Sequence, residues 1–254
     1  MDGVIYVATG ADYVDLAVQS ARSLNKSNPE IAADLFCGPD DQVPAGVFQK
    51  VHAVPRVHAR AKLDCLPLSR FDRTLFLDAD TLVVGDLGDL WQVADRFDLA
   101  LAHDVRRRSE LIREGLEVET PYAFPQLNSG VMLYRKSPEA LAFFEEWSRR
   151  FGETGVARDQ IILKDLLWRG RLCFYVLPPE FNLRRVTVLV AWEPLDAEVK
   201  IIHSHRFKDH LQAGKRIGDL ATLMEAERDA LVREWREHGA ESKLAWFTGE
   251  KPAR

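Results

Sequence analysis

Hydrophobic and polar positions along the chain alternate between two periods. Val4–Ala8 is a short apolar run closed by Thr9-Gly10-Ala11-Asp12, which predicts a strand and a turn. Val14, Ala17, Val18, Ala21 and Leu24 then recur at helical spacing, and Asn28-Pro29 stops that helix. Ala33–Cys37 reads as a second strand, ended by Gly38-Pro39-Asp40-Asp41. A helix is predicted over Ala59–Leu66 and an apolar strand over Thr74–Leu77. Further strands are expected at Asp98–His103, Gly130–Tyr134, Leu172–Leu177 and Lys200–Ser204, with helices over Glu139–Arg149 and Asp159–Trp168. This alternation predicts an α/β domain whose central sheet is mixed but mainly parallel, with helices on both faces. From about Leu211 the pattern changes: Leu220, Leu223, Met224, Leu231 and Trp235 form one apolar stripe in a charged helix. The expected division is therefore a main domain over 1–212 and a helical extension over 213–254 packed on it.

Composition narrows the classes. The chain has 254 residues, 46% of them hydrophobic, and a net charge of −5, which excludes disorder and disfavours a nucleic-acid partner. The longest apolar run, Val186–Trp192, is interrupted by Thr187 and is far too short to span a bilayer. The eight basic and eight acidic residues from Leu211 onward give an anionic membrane little to attract. Asp2 stands where a signal peptide would place Lys or Arg, so no signal peptide is expected. Cys37, Cys65 and Cys173 are scattered among apolar neighbours and read as small core residues of a reducing compartment. A cytoplasmic enzyme acting on small molecules or glycans fits all of this.

The chemistry concentrates at Thr74-Leu75-Phe76-Leu77-Asp78-Ala79-Asp80-Thr81-Leu82-Val83. Four apolar residues predict a strand buried on both faces, and two carboxylates follow where it ends. In extended backbone, residues two apart point the same way, so Asp78 and Asp80 converge on one cation. Two like charges beside a buried strand are unfavourable without such a partner. Two classes of enzyme present this arrangement: phosphohydrolases of the haloacid-dehalogenase type, with Asp78 as nucleophile, and metal-dependent glycosyltransferases.

Seven segments in order resemble the glycogenin-like and bacterial galactosyltransferase-like family of retaining glycosyltransferases, family 8, which has a GT-A (Rossmann-like) fold. They are Tyr6-Val7-Ala8-Thr9-Gly10-Ala11-Asp12-Tyr13, Lys62-Leu63 sixteen residues before Asp78, and Asp78-Ala79-Asp80-Thr81-Leu82-Val83. Leu127-Asn128-Ser129-Gly130-Val131, Asp159-Gln160-Ile161-Ile162-Leu163, Phe181-Asn182 and Val199-Lys200-Ile201-Ile202-His203 complete the set. The resemblance implies transfer of a hexose from a UDP-sugar to a glycan or other hydroxyl acceptor, with retention of configuration. It implies Asp78, Asp80 and His203 as metal ligands, and their mixed oxygen and nitrogen donors suit Mn²⁺ better than the alternative, Mg²⁺. It implies donor-binding roles for Ala8, Thr9, Tyr13, Lys62, Asp78, Ala79, Asp80, Asn128, Ser129 and Lys208. Tyr13 offers a flat face to a uracil ring. Asp159 and Gln160 are the catalytic candidates, and Asp104 is a further site candidate. A homodimer is compatible with this reading.

The chain also departs from the family pattern. After the metal-binding His the family reads His-x-x-Gly-x-x-Lys-Pro-Trp, whereas this chain reads His203-Ser204-His205-Arg206-Phe207-Lys208-Asp209-His210. Arg206 replaces the Gly and the Pro-Trp is missing, so Lys208 or Arg206 is expected to supply the phosphate cation. His205, two residues on, is the rival ligand to His203. Arg184 and Arg185 are candidates to face an anionic acceptor. No Tyr lies between Asn182 and Lys200, which argues against a glycogen-priming role. The altered loop keeps open a third reading, a nucleotide-sugar binding protein without turnover.

Overall fold

A computed structural model describes residues 1–107, 115–117 and 119–237. Its main sheet holds seven strands: β1 (Asp2–Val7), β2 (Ala32–Cys37), β3 (Lys50–Ala53), β4 (Arg73–Leu77), β6 (Leu99–His103), β7 (Leu127–Arg135) and β8 (Phe174–Val176). The strand order is β3-β2-β1-β4-β7-β6-β8. The pairs β1–β2, β1–β4, β2–β3 and β6–β8 are parallel, whereas β7 runs antiparallel to both β4 and β6. The sheet is therefore mixed and mainly parallel. A separate ribbon pairs β5 (Thr81–Val83) with β9 (Ile201–His203) antiparallel, setting Thr81 opposite His203.

Burial follows the alternation of the strands. Ile5, Phe36, Phe76, Leu101, Met132 and Tyr134 belong to one apolar cluster with Phe144, Trp147, Ile162 and Leu163. The last four come from α4 (Pro138–Thr154) and α5 (Asp159–Arg169). On the opposite face Tyr6 accepts a hydrogen bond of 3.1 Å from Ser20 Oγ of α1 (Ala11–Ser27). Two short helices, α2 (Lys62–Cys65) and α3 (Leu90–Ala94), complete this part. Ser137 caps helix α4, accepting from the Ala140 backbone N–H, and Pro138 follows as its first residue. Gly155, at φ 64°, ends it in a left-handed cap.

The chain divides into two compact units, Met1–Arg184 with Glu198–Ser204, and Arg185–Ala197 with His205 onward. The second contains a 3-10 turn over Val186–Ala191, α6 (Arg206–Gln212) and α7 (Leu220–Glu237). Asp219 caps α7 through the Thr222 N–H at 2.8 Å, and buried Glu227 of that helix pairs with Arg185. Its buried positions are Leu223, Ala226, Glu227 and Ala230, while Leu220 of the expected stripe is exposed.

Several expectations are corrected. The helix expected over Ala59–Leu66 is one turn, Lys62–Cys65, continued by a 3-10 turn at Leu66–Leu68, because Pro67 cannot extend the α-helical hydrogen bonding. Cys37 and Cys65 are buried, but Cys173 is exposed, since it precedes the edge strand β8. Val190, in the longest apolar run, is 66% exposed. No helix among the described residues is long and apolar enough to cross a membrane.

Candidate active site

The site lies at the C-terminal ends of the parallel strands β1 and β4, where ligands bind in open α/β sheets. Asp78 and Asp80 do not continue β4 as extended backbone. They sit in a tight turn between β4 and β5, closed by Thr81 Oγ1 donating to the Asp78 carbonyl at 2.8 Å. The turn brings the carboxylates together as the expected extension would have done. It is pinned on both sides: the Asp78 N–H donates to Gly130 O at 2.7 Å, and the Ser204 N–H to Asp80 O at 3.1 Å.

Strand β9 delivers His203 to this turn. One ligand atom each from Asp78, Asp80 and His203 lies within 4.8 Å of the others. His203 Nε2 is 3.3 Å from Asp80 Oδ1 and 3.9 Å from Asp78 Oδ2. Burial pushes the His203 imidazole below its ordinary pKa and Arg184 adds to this, outweighing the opposite pull of Asp80 and Asp78. A neutral imidazole beside two carboxylates is the donor set of a divalent cation. Gly130 makes the close approach feasible, because a Cβ there would stand 2.0 Å from His203 Cε1 and 2.8 Å from Asp78 Oδ2. His205 is outside this group: β9 ends at His203, and His205 is an exposed residue that opens α6 in the second unit.

Lys62 connects the acidic turn to Asp159. The lysine is buried, with Nζ 3.6 Å from both Asp78 Oδ1 and Asp159 Oδ2. It donates to the Ser129 carbonyl at 2.9 Å and to Ser129 Oγ at 3.0 Å, and Ser129 Oγ donates to Asp159 Oδ2 at 2.9 Å. Asp159 begins α5 and is 2% exposed. Burial alone would raise its pKa, but Lys62, Arg60 and Ser129 together hold the carboxyl below the usual range. Trp147 Nε1 fixes the backbone there by donating to Asp159 O at 2.9 Å.

The remaining residues divide into two groups. Gln160 Nε2 donates to Leu127 O at 3.1 Å and lies 3.4 Å from Asp104 Oδ2, an oxygen that Asn128 Nδ2 also reaches at 3.1 Å. Burial pushes the Asp104 carboxyl up, and Asn128, Arg184, the Arg106 N–H and Gln160 more than reverse it. At the end of β1, Ala8 is buried, Thr9 half-buried and Tyr13 42% exposed on α1. Gly10, at φ 88°, allows the turn between them, and its N–H donates to Asp41 Oδ1 at 3.0 Å. Ala79 is buried inside the acidic turn. Lys208 lies half-buried on α6 of the second unit.

One residue without an expected role belongs to the site. Asn182 Oδ1 is 2.9 Å from His203 Nδ1, and Asn182 Nδ2 donates to Asn128 Oδ1 at 3.0 Å. The Phe181-Asn182 pair was the signal for it, but a buried amide's partner cannot be read from a two-residue motif.

This fold and this acidic site define a sugar-transferring enzyme of the GT-A class. The chain belongs to the nucleotide-diphospho-sugar transferase family, whose model matches residues 73–243. That membership decides for sugar transfer and against the phosphohydrolase and binding-only alternatives. Among solved structures, the chain resembles a galactosyltransferase LgtC in complex with donor and acceptor sugar analogs. The identity is 18% and the TM-score 0.56, with 80% of this chain and 87% of that chain covered. The glycosyltransferase GlyE in Streptococcus pneumoniae TIGR4 is similar at 18% identity and a TM-score of 0.53, over 80% of this chain and 55% of that one. The bifunctional glycosyltransferase WbbM is similar at 15% identity and a TM-score of 0.52, over 79% and 45%. No curated protein sequence matches the chain.

Proposed function

We propose that the protein moves a hexose from a UDP-sugar to a hydroxyl of a glycan or other acceptor, with retention of configuration, as a family 8 enzyme. The observation that carries this reading is the convergence of Asp78, Asp80 and His203, with the imidazole Nε2 turned toward both carboxylates. These three residues would hold a divalent cation, Mn²⁺ before Mg²⁺, which when bound offsets the charge that grows on the departing diphosphate. Lys62 Nζ lies 3.6 Å from both Asp78 and Asp159, and so places a positive charge between the metal end and the sugar end. Asp104, Asn128 and Gln160 present hydrogen-bonding groups for sugar hydroxyls. Asp159, kept ionised, is suited to face a developing oxocarbenium centre, with Gln160 as the adjacent amide. Ser129 acts through Lys62 and Asp159, since its hydroxyl and carbonyl are engaged with both. Ala8, Thr9 and Tyr13 flank the base, and Ala79 lets the donor approach the acidic turn.

The direct test is thermal stability with UDP. A ligand that binds only the folded protein raises its apparent stability. UDP is expected to raise the melting temperature with a divalent cation present, most with Mn²⁺, and not in excess chelator. Equal stabilisation in chelator would sink the bridging role.

Single substitutions separate the ligands. Asp80→Ala removes a ligand and no core volume, so transfer should be lost while the melting temperature of the metal-free protein changes little. His203→Ala is expected to raise the Mn²⁺ concentration for half-maximal activity by about 10-fold or more, and His205→Ala to leave it unchanged. Titrating activity against Mn²⁺ checks both, and the reverse order would assign the ligand to His205.

A further inference from the structure

We propose that Asn182 is a positioning residue that sets the tautomer of His203 through a one-way chain of amides anchored on Asp104 and the Gly130 N–H. The inference rests on the reading of Asp78, Asp80 and His203 as a cation site.

All four side chains of the chain are buried: Asp104 is 7% exposed, Asn128 5%, Asn182 2% and His203 2%. Its direction is fixed by groups that cannot reverse. The Asp104 carboxylate, held ionised by its neighbours, only accepts, so Asn128 presents Nδ2 to it at 3.1 Å. A backbone N–H only donates, so Gly130 N requires Asn128 Oδ1, which it meets at 3.0 Å. The Asn128 amide therefore has one orientation. Its Oδ1 also faces Asn182, which must offer Nδ2 there, at 3.0 Å. Asn182 is left with Oδ1 toward His203 Nδ1, at 2.9 Å.

Flipping Asn182 would set its oxygen against the Asn128 oxygen. Flipping both amides would set the Asn128 oxygen against Asp104 and its NH₂ group against the Gly130 N–H. Each such mismatch leaves buried polar groups unsatisfied, which costs about 1–3 kcal/mol per group. His203 must then carry a proton on Nδ1, which leaves Nε2, 3.3 Å from Asp80 Oδ1 and 3.9 Å from Asp78 Oδ2, as the nitrogen that would face a cation held there. The hydrogen bond to one ring nitrogen determines which nitrogen is left for a metal. Asn182 and Asn128 thus act on the cation without touching it, and they join the hydrogen bonds of the sugar end to the metal end.

The test reads the metal-free protein and Mn²⁺ uptake separately. Long-range ¹H–¹⁵N spectra report the His203 tautomer, and electron paramagnetic resonance of free Mn²⁺ gives the dissociation constant without nucleotide. Wild type is expected to carry a proton on Nδ1, whether or not Nε2 is also protonated beside Asp80. Asn182→Leu, which removes the acceptor, should lose that proton and bind Mn²⁺ about 10–100-fold more weakly. Asn182→Asp keeps an acceptor at Nδ1 but sets an oxygen against Asn128 Oδ1, so it should retain the Nδ1 proton and bind Mn²⁺ more tightly than Asn182→Leu. A merely structural role would weaken binding without moving the tautomer, and that result overturns the proposal, as does an Asp variant as weak as the Leu variant. If Asn182→Leu does not fold, the Asp variant decides: an Nε2–H imidazole there overturns the proposal, and a retained Nδ1–H form upholds it. Wild type that takes up no Mn²⁺ refutes the cation site itself, whereas wild-type binding left unaltered by Asn182→Leu refutes only the relay.

Discussion

Replacing Gly130 with alanine is expected to lower transfer by about 100-fold or more while the protein still folds. The added Cβ would stand 2.0 Å from His203 Cε1, 2.7 Å from His203 Nδ1 and 2.8 Å from Asp78 Oδ2. Carbon cannot approach that closely, so the imidazole, the carboxylate or β7 must shift. The imidazole is tied to Asn182 and the Gly130 carbonyl to the Asp78 N–H, which leaves no direction of movement that preserves the site. A displacement of about 1 Å in a catalytic constellation costs about 100-fold in rate. The overpacking itself costs about 1–3 kcal/mol of stability, a loss the fold can absorb. Steady-state kinetics with an Mn²⁺ titration measure the effect. Unchanged kcat/KM and Mn²⁺ affinity would mean that His203 moves freely and that the cradle is not tight.

Lys62→Met is the second large effect, and it combines lost transfer with lost stability. Methionine matches the stem of lysine but removes the charge that lies 3.6 Å from both Asp78 and Asp159. Asp159 is nearly inaccessible to water, so its carboxylate cannot recover by hydration. Removing one partner from a buried pair costs about 3–5 kcal/mol. Arg60 Nε, 3.0 Å from Asp159 Oδ1, retains part of the compensation, which favours the lower end of that range. For a chain of this size about 3 kcal/mol corresponds to a fall in melting temperature of about 6–12 °C. Mn²⁺ should stabilise the variant more than wild type, because a cation on Asp78 takes over part of the missing charge. A variant within about 2 °C of wild type in metal-free buffer would show that Lys62 is not the electrostatic partner of these acids.

The parts of this fold that were legible in the sequence are those whose signal is local and repeated. Helix α1 has five apolar residues at helical spacing before its Asn28-Pro29 stop, and β4 ends in the apolar run Leu75-Phe76-Leu77. Both were readable for that reason. Strands β5, β8 and β9 have three residues each and β3 has four, too few for a period to be distinguished from chance; of these only β8 and β9 were marked, β9 by the apolar pair before His203. Helix α6 offers little apolar stripe, with Phe207 its one buried residue.

At the site, the acidic pair was visible because two carboxylates after a buried strand need a partner. The turn that carries them was not, because it depends on a hydroxyl of Thr81 closing back on Asp78. Lys62 on its own has the appearance of a surface lysine. Its burial follows from Ser129 and Asp159, which are distant in the chain. Cys173 shows the opposite failure, since apolar neighbours in sequence did not make it a core residue.

The pairing of β5 with β9 also governs when the cation site comes into being. Asp80 and His203 are 123 residues apart, and the strand carrying the imidazole is made after all seven strands of the main sheet. At translation rates of about 5–20 residues per second, the two carboxylates leave the ribosome roughly 6–25 s before their third partner. During that interval Lys62, close in sequence and already made, is the available counter-charge for Asp78. The grouping of Asp78, Asp80 and His203 can therefore close only after all seven strands of the main sheet have been made.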